Sequence, residues 1–291
     1  MKKEKIASIL VTADIGSFNI KIVGGGIYEN RYILKNNDET MGANYLTYNG
    51  NTYYFGVGEF NGEELKTNKE MLIPLLYGLG RDKISGNINL ILHLPPREMS
   101  RKQMIIDEFK DKEFNYRVNG TDYTIKIGKV GVLKEGFSSF YSLAKRNEGK
   151  LAVIDIGGRT TEVFTFIDGV PDREQSYPIG TIKYFDEIAT ALIGKGENFT
   201  KEKIHRALQD CDIDINDFKD ITKDVYDRLI NLTKDTFPDL KYYDIKLTGG
   251  GSEYFKDLFK KNYKKVSVLS NALTSNVDGA EQIGKAKGFD K

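Results

Sequence analysis

The chain of 291 residues has little cysteine, little histidine and almost no surplus of charge. Its single thiol, Cys211, excludes an intrachain disulfide framework and cysteine-based zinc sites, and fits a reducing cytoplasm. The two histidines have no second histidine or acid at metal-ligand spacing. His93, in an apolar strand, therefore reads as packed and His205 as a surface residue. Lys and Arg total 43 against 42 Asp and Glu, a net +1. That balance gives no electrostatic case for direct DNA binding or for an anionic membrane surface. The basic run Lys256, Lys260, Lys261, Lys264 and Lys265 then reads as a solvated face, which the acidic stretch 210–220 could complement between subunits. No apolar run approaches the roughly 20 residues that span a bilayer. The N-terminal apolar run is interrupted by Ser8 and Thr12 and stops at Asp14, which reads as a strand rather than a signal peptide. Residues 284–291 carry too few large apolar side chains for an amphipathic anchor. What is present, 40% hydrophobic and 29% charged residues, describes a folded chain long enough for two domains, each with its own core.

Residues 151–166 organise the rest. An apolar lead runs into Asp155, Gly157-Gly158 makes a turn, and Thr160-Thr161 opens a second β-rich run, so the stretch reads as a hairpin with a carboxylate at its tip. Residues 9–23 repeat the scheme with Asp14, Gly16-Ser17 and the return Phe18-Asn19-Ile20-Lys21-Ile22-Val23. Two hairpins of one design predict a duplicated fold with one ligand between its halves.

The remaining pattern is mixed α/β. Short tyrosine-rich strands fill 28–47 and 52–58 around Asn49-Gly50, a helix spans 69–79, and a strand covers 88–94. Ser100 is placed to cap a helix reaching 109. Strands are predicted at 116–118 and 123–127, a separate short one at 129–133, and a helix at 137–145. Helices follow at 180–193, at 200–209 with Thr200 as cap, and at 217–236. A strand at 243–247, a helix at 253–261, a strand at 266–269 and a helix at 276–287 complete the chain.

Three glycine turns follow strands: Gly16-Ser17, Gly157-Gly158 and Gly249-Gly250-Gly251. Glycine lets backbone N–H groups approach phosphate oxygens without an intervening Cβ, and a helix N-terminus beyond it adds positive potential. Each cluster alone also reads as an ordinary tight turn; three together point to a nucleotide. An aspartate directly before such a turn needs a cation between it and phosphate, because two anions repel in a low-dielectric setting. Asp14 and Asp155 therefore imply Mg²⁺, held with several of its waters. On the returning strand Asn19 and Lys21 share one face and Ile20 and Ile22 the other, which gives the Lys21 amine a route to phosphate or to solvent. Glu135, at a helix start after a strand, is a candidate for positioning or activating water, and equally a dipole-matching residue.

The segment Asp14-Ile15-Gly16-Ser17-Phe18-Asn19-Ile20-Lys21 resembles the first phosphate loop of the actin, Hsp70 and sugar-kinase superfamily, most closely that of ParM-type plasmid-segregation actins. Asp155-Ile156-Gly157-Gly158-Arg159-Thr160-Thr161-Glu162 resembles the second phosphate loop, and Thr248-Gly249-Gly250-Gly251 the adenosine motif. Residues 130–136, ending in Glu135-Gly136, resemble the start of the first connecting helix, where the family carries its water-positioning residue. Asn276-Val277-Asp278-Gly279-Ala280 resembles the second connecting helix. The resemblance implies an α/β, two-domain actin-like ATPase fold of duplicated ribonuclease-H-like domains, with ATP, or GTP, and Mg²⁺ in the cleft between them. Domain I is expected over 1–148, with a small β-rich subdomain at 28–60. Domain II is expected over 149–270, with a helical subdomain at 181–242, and a C-terminal helix in 271–291 returns to domain I. The implied function is a cytoplasmic ATPase that polymerises with itself and moves plasmid DNA through a DNA-binding adaptor protein. The alternative is a non-polymerising small-molecule kinase of the same superfamily. Arg159 stands where relatives have a small residue; contact with phosphate, exposure to solvent and pairing across a subunit boundary are all open. The base-contacting helix of the family falls at 200–210, with Lys203 or Gln209 as contributors or as parts of a solvated face.

Overall fold

The computed structural model describes residues 8–35 and 43–291. The predicted strand and turn residues at 6–7 and 36–42 lie outside them. The chain divides into two compact units, one of residues 1–144 with 274–291 and one of residues 145–273.

In the first unit, β1 (Ile9–Ile15) and β2 (Asn19–Ile22) form the expected hairpin and β3 (Ile27–Glu29) adds to it. Then come β4 (Tyr32–Lys35), β5 (Asn44–Tyr48), β6 (Asn51–Phe55), helix α1 (Leu72–Arg81), β7 (Gly86–Leu94), α2 (Lys102–Phe109), β8 (Glu113–Val118), β9 (Thr121–Lys134) and α3 (Phe137–Tyr141). The nine described strands are ordered β3-β2-β1-β7-β9-β8-β5-β6-β4. β7 has seven consecutive buried residues, five of them apolar with Asn89 and His93 between them, as a strand covered on both faces has. β8 alternates exposed and buried residues, as a strand with one wet face does. Val11, Ile20, Leu75, Leu90 and Ile127 join in one core.

The second unit holds β10 (Lys150–Ile156), β11 (Thr161–Ile167), β12 (Val170–Tyr177), helices α4 (Thr181–Gly194), α5 (Lys201–Gln209) and α6 (Lys219–Thr236), then β13 (Asp244–Thr248), α7 (Ser252–Asn262) and β14 (Val266–Val268). Its sheet is ordered β12-β11-β10-β13-β14. Val153, Phe164, Leu247, Phe255 and Phe259 are buried in its core. The last helix, α8 (Ser275–Ala286), belongs to the first unit.

The duplication is a property of the sheets. In both units two successive antiparallel pairings lie on one side of a central strand and two successive parallel pairings on the other. β3-β2-β1-β7-β9 in the first matches β12-β11-β10-β13-β14 in the second, pair by pair in direction.

Several predicted boundaries differ. Ser100 caps nothing: Pro96–Arg101 is 3-10 helix and α2 begins at Lys102. The two strands expected on either side of Gly128 are one strand, β9, whose register with β7 shifts between Ile88 and Leu90. Asn89 Oδ1 accepts the Lys129 N–H at 2.9 Å there, so the irregularity is absorbed as a bulge rather than a break. α3 stops at Tyr141, and the Ser142 hydroxyl donates to the Ser139 carbonyl at 2.8 Å, competing with helix continuation. Thr200 occupies the cap position of α5 without a side-chain cap bond. β12, polar along most of its length, was not foreseen.

Candidate functional site

In the first unit Asp14 lies directly opposite Lys21 across β1 and β2. Opposite residues share a face, and Lys21 Nζ is 3.1 Å from Asp14 Oδ2. The predicted alternation holds: Ile20 and Ile22 are buried, Asn19 and Lys21 half-buried. The loop between the strands is tied down on all sides. The Gly16 N–H donates to the Asn19 carbonyl at 2.9 Å, and Asn30 Nδ2 donates to the Gly16 carbonyl at 2.6 Å. Lys69 Nζ donates to Ser17 Oγ at 2.6 Å, and the Phe18 ring packs 4.7 Å from Phe60.

Sequence reasoning missed Lys66. It sits in a single 3-10 turn, Lys66–Asn68, is 5% exposed, and its amine donates to Asp14 Oδ1 at 2.9 Å and to Glu135 Oε1. Glu135 arrives from the end of β9, held by its N–H to the Leu94 carbonyl at 2.9 Å. One ammonium thus joins the first-loop aspartate to the candidate water-positioning glutamate. Burial opposes ionisation of Asp14, but Lys66 and Lys21 outweigh it and hold the carboxyl well below its usual range. Burial likewise opposes the charge on Lys66, and Asp14 with Glu135 more than offsets it, raising the amine above its ordinary value. Beneath them His93 is fully buried, as expected of a packed residue. Its Nδ1 lies 3.1 Å from the Ala13 carbonyl, an acceptor only, so the neutral ring carries its proton there. Nε2, 3.2 Å from Ser138 Oγ, is then the acceptor. Burial pushes the ring down to about 4.

In the second unit Asp155, 5% exposed, lies opposite Glu162 on β11 and opposite Thr248 on β13. The position that carries Lys21 in the first hairpin thus carries Glu162 in the second, and the charge is inverted. Glu162 is 1% exposed and accepts the Ser176 hydroxyl at 2.9 Å. The turn itself is reproduced: the Gly157 N–H donates to the Thr160 carbonyl at 2.9 Å, as Gly16 does to Asn19. A Cβ at Gly16 or Gly157 would press on that acceptor oxygen, at 3.0 and 3.1 Å. Both glycines therefore serve turn closure with their N–H groups already used, a role the phosphate expectation did not contain. The carbonyls of Gly157 and Gly158 accept from Thr181 and Ile182 at the start of α4, at 3.0 and 2.8 Å. Thr160 is buried and Arg159 half-buried in this loop.

The third glycine cluster packs against the second loop within the same unit. Gly249 has φ +79, and a Cβ there would lie 2.3 Å from Asp155 Oδ1; one at Gly251 would lie 2.3 Å from the Ile156 side chain. The Gly251 N–H donates to the Ile156 carbonyl at 2.9 Å. Asp155, Gly157, Gly158, Gly249, Gly250 and Gly251 are thereby brought together. Lys203 and Gln209 are exposed on α5. His205 departs from the surface expectation: it is half-buried, with Nδ1 2.8 Å from Tyr254 Oη and its ring beside Phe185, because α5 packs on α4. The lysine run is exposed apart from half-buried Lys256, which pairs with Glu253.

Among the described residues no group of three or more His, Cys, Asp or Glu side chains could hold a metal ion by itself. Asp155 has room for its carboxylate because Gly249 has no side chain. Both Asp14 oxygens already face ammonium groups. Within the second unit, Asp155, a buried carboxylate beside glycine turns, has the chemistry to suit a magnesium that keeps several of its waters. Among the described residues no helix is long and apolar enough to cross a membrane.

No protein-family model matches the chain, and no curated protein matches its sequence. Solved structures do. The psk41 ParM protein in its apo form is 17% identical, covering 98% of this chain and 100% of its own, with a TM-score of 0.67. The archaeal actin homolog Ta0583 in complex with ADP is 16% identical, covering 96% and 99%, with a TM-score of 0.78. The protein of a 15-stranded ParM filament from Clostridium botulinum is 17% identical, covering 97% and 100%, with a TM-score of 0.74. With identities this low the likeness is one of fold, and the fold of this chain is the two-domain actin-like fold of the ParM type.

Proposed function

We propose that this chain is a Mg²⁺-dependent ATPase that polymerises with itself into dynamic filaments, with hydrolysis controlling filament stability. The observation that carries this reading is the repeated sheet, with a carboxylate at one register and a Gly-closed turn beyond it in each unit. The ADP complex and the filament among the similar structures support nucleotide binding and self-association. In a cell the filament would move plasmid DNA, joined to it by a DNA-binding adaptor; the near-neutral chain gives no charge for holding DNA directly.

In this reading Lys21, Lys66 and Lys69 meet the phosphate charge. Before nucleotide binds they are held by Asp14, Glu135 and Ser17. Glu135 orients the attacking water, whose oxygen bonds to the γ-phosphorus as the bond from that phosphorus to the β–γ bridging oxygen breaks; ADP leaves with the bridging oxygen, and the water's surplus proton passes to an oxygen of the departing inorganic phosphate. Lys66 must release Glu135 for this, and a phosphate oxygen is the competing partner for its ammonium. Asp155 would be the carboxylate that holds a hydrated magnesium, which would supply positive charge against the phosphates. Ser17, Phe18, Asn19, Arg159 and Thr160 form the loop surfaces next to the phosphates. Gly249-Gly250-Gly251 adjoins the nucleoside, with Lys203 a further contact from α5.

Right-angle light scattering and pelleting after addition of ATP and Mg²⁺, over a series of protein concentrations, tests the proposal. Assembly above a critical concentration is expected, followed by disassembly as nucleotide is consumed. No assembly at any concentration, with stoichiometric phosphorylation of a small acceptor, would replace it with the kinase reading.

A further inference from the structure

The turn that delivers Lys66 has no cap of its own, since Leu65 makes no side-chain cap bond. Its leading N–H groups go to Glu98 instead. The Lys66 N–H donates to Glu98 Oε1 at 3.0 Å, the Thr67 N–H to Oε2 at 2.8 Å, and the Thr67 hydroxyl to Oε2 at 3.0 Å. Glu98 is 3% exposed, so these are charge-assisted bonds away from water, with both carboxylate oxygens in use. Arg101 braces the same turn, donating to Thr67 Oγ1 at 3.3 Å and Asn68 Oδ1 at 3.1 Å, and Arg97 Nε lies 3.9 Å from Glu98 Oε1.

The frame explains why such a tie is needed. Asp14 stands near the end of β1, Glu98 shortly after β7 and Glu135 just after β9, and these three strands are parallel neighbours. Their positions follow from one sheet. Lys66 has no strand to stand on, yet its amine must meet both Asp14 and Glu135.

We propose that Glu98 is a positioning residue that, through the backbone of Lys66 and Thr67, sets where the Lys66 ammonium stands between Asp14 and Glu135. The inference rests on the ATPase reading for its effect on rate, and on geometry alone for its effect on Lys66. Glu98→Gln keeps the shape but turns an amide nitrogen, a donor, toward one of the backbone N–H groups. Small misplacement of a group beside reacting atoms slows chemistry far more than binding, so phosphate release should fall about tenfold or more. The dissociation constant for ATP should stay within about threefold.

A second readout does not depend on turnover. Limited acylation with acetic anhydride, read lysine by lysine by mass spectrometry, should leave buried Lys66 protected in the unsubstituted protein and expose it in Glu98→Gln, with Lys21, Lys112 and Lys129 unchanged. Glu98→Ala, which removes both acceptors, should expose Lys66 further. Unchanged Lys66 labelling in both variants overturns the inference, and so does an equal rise at all first-unit lysines, which marks general loosening. Should the unsubstituted protein release no phosphate, the ATPase reading falls and the labelling alone decides the role of Glu98. Turnover in Glu98→Gln equal to that of the parent, with Lys66 newly labelled, also overturns it.

Discussion

His93, Lys66 and Asp14 show at the level of single residues how burial and charge are set against each other. His93 resists protonation in the fold because it is buried, and the ammoniums of Lys66 and Lys21 add to that, while Asp14 and the Ala13 carbonyl oppose it. Its folded value of about 4 lies below the unfolded 6.5, so the unfolded chain binds the extra proton between those limits. Stability is therefore complete above pH 6.5 and falls as pH drops toward 4, by an amount on the order of 2–3 kcal/mol. Asp14 acts at lower pH: its depressed carboxyl adds a loss that begins as pH falls below its unfolded value of 3.8. Urea unfolding at pH 7, 5.5 and 4.5 should show the decline, and His93→Asn should flatten it; an unchanged slope would assign it to other groups. The facing of Lys21 was legible because strand alternation has a short period. Lys66 was not, because a three-residue turn has no periodicity and its partners lie 52 and 69 positions away.

Secondary-structure elements were legible wherever a long apolar pattern met a clear stop. They were not legible where tertiary contacts decide continuity. β9 runs through Gly128 because Asn89 satisfies the bulge, and nothing local announces that. α8 is a further case of contact deciding sequence. It packs on α3 so closely that a Cβ at Gly279 would lie 1.8 Å from the Ser138 carbonyl oxygen, a backbone atom that cannot yield. Gly136 N–H and Ser139 Oγ both donate to Asn276 Oδ1 at 2.9 Å, and Thr12 Oγ1 donates to the Val277 carbonyl at 2.7 Å. Gly279→Ala should cost the first unit about 2 kcal/mol or more by forcing the helices apart. Hydrogen exchange should show α3 and α8 losing protection while β10 and β13 keep theirs. Gly62→Ala, where a Cβ meets nothing within 4 Å, is the control expected to change neither. Equal protection in both variants would contradict this packing.

For the whole molecule, the two hairpins were enough to announce a duplication, because each carries its aspartate and glycine turn at the same place. The five-strand order shared by the two units was legible only in part, since β12 is a polar edge strand with few apolar residues to betray it. The inversion from Lys21 to Glu162 at equivalent positions was in plain view in the sequence. Its meaning required the register: Lys21 faces Asp14 in the first unit, and Glu162 faces Asp155 in the second.

The most direct measurement is a paired one on Glu135→Ala and the unsubstituted protein, with ATP affinity by titration and phosphate release in a single turnover. Affinity should be nearly unchanged, and release should slow by about a hundredfold or more, the usual contribution of a group that positions or activates water. Loss of ATP binding in the variant would make Glu135 a structural partner of Lys66, and an unchanged rate of release would remove it from the chemistry.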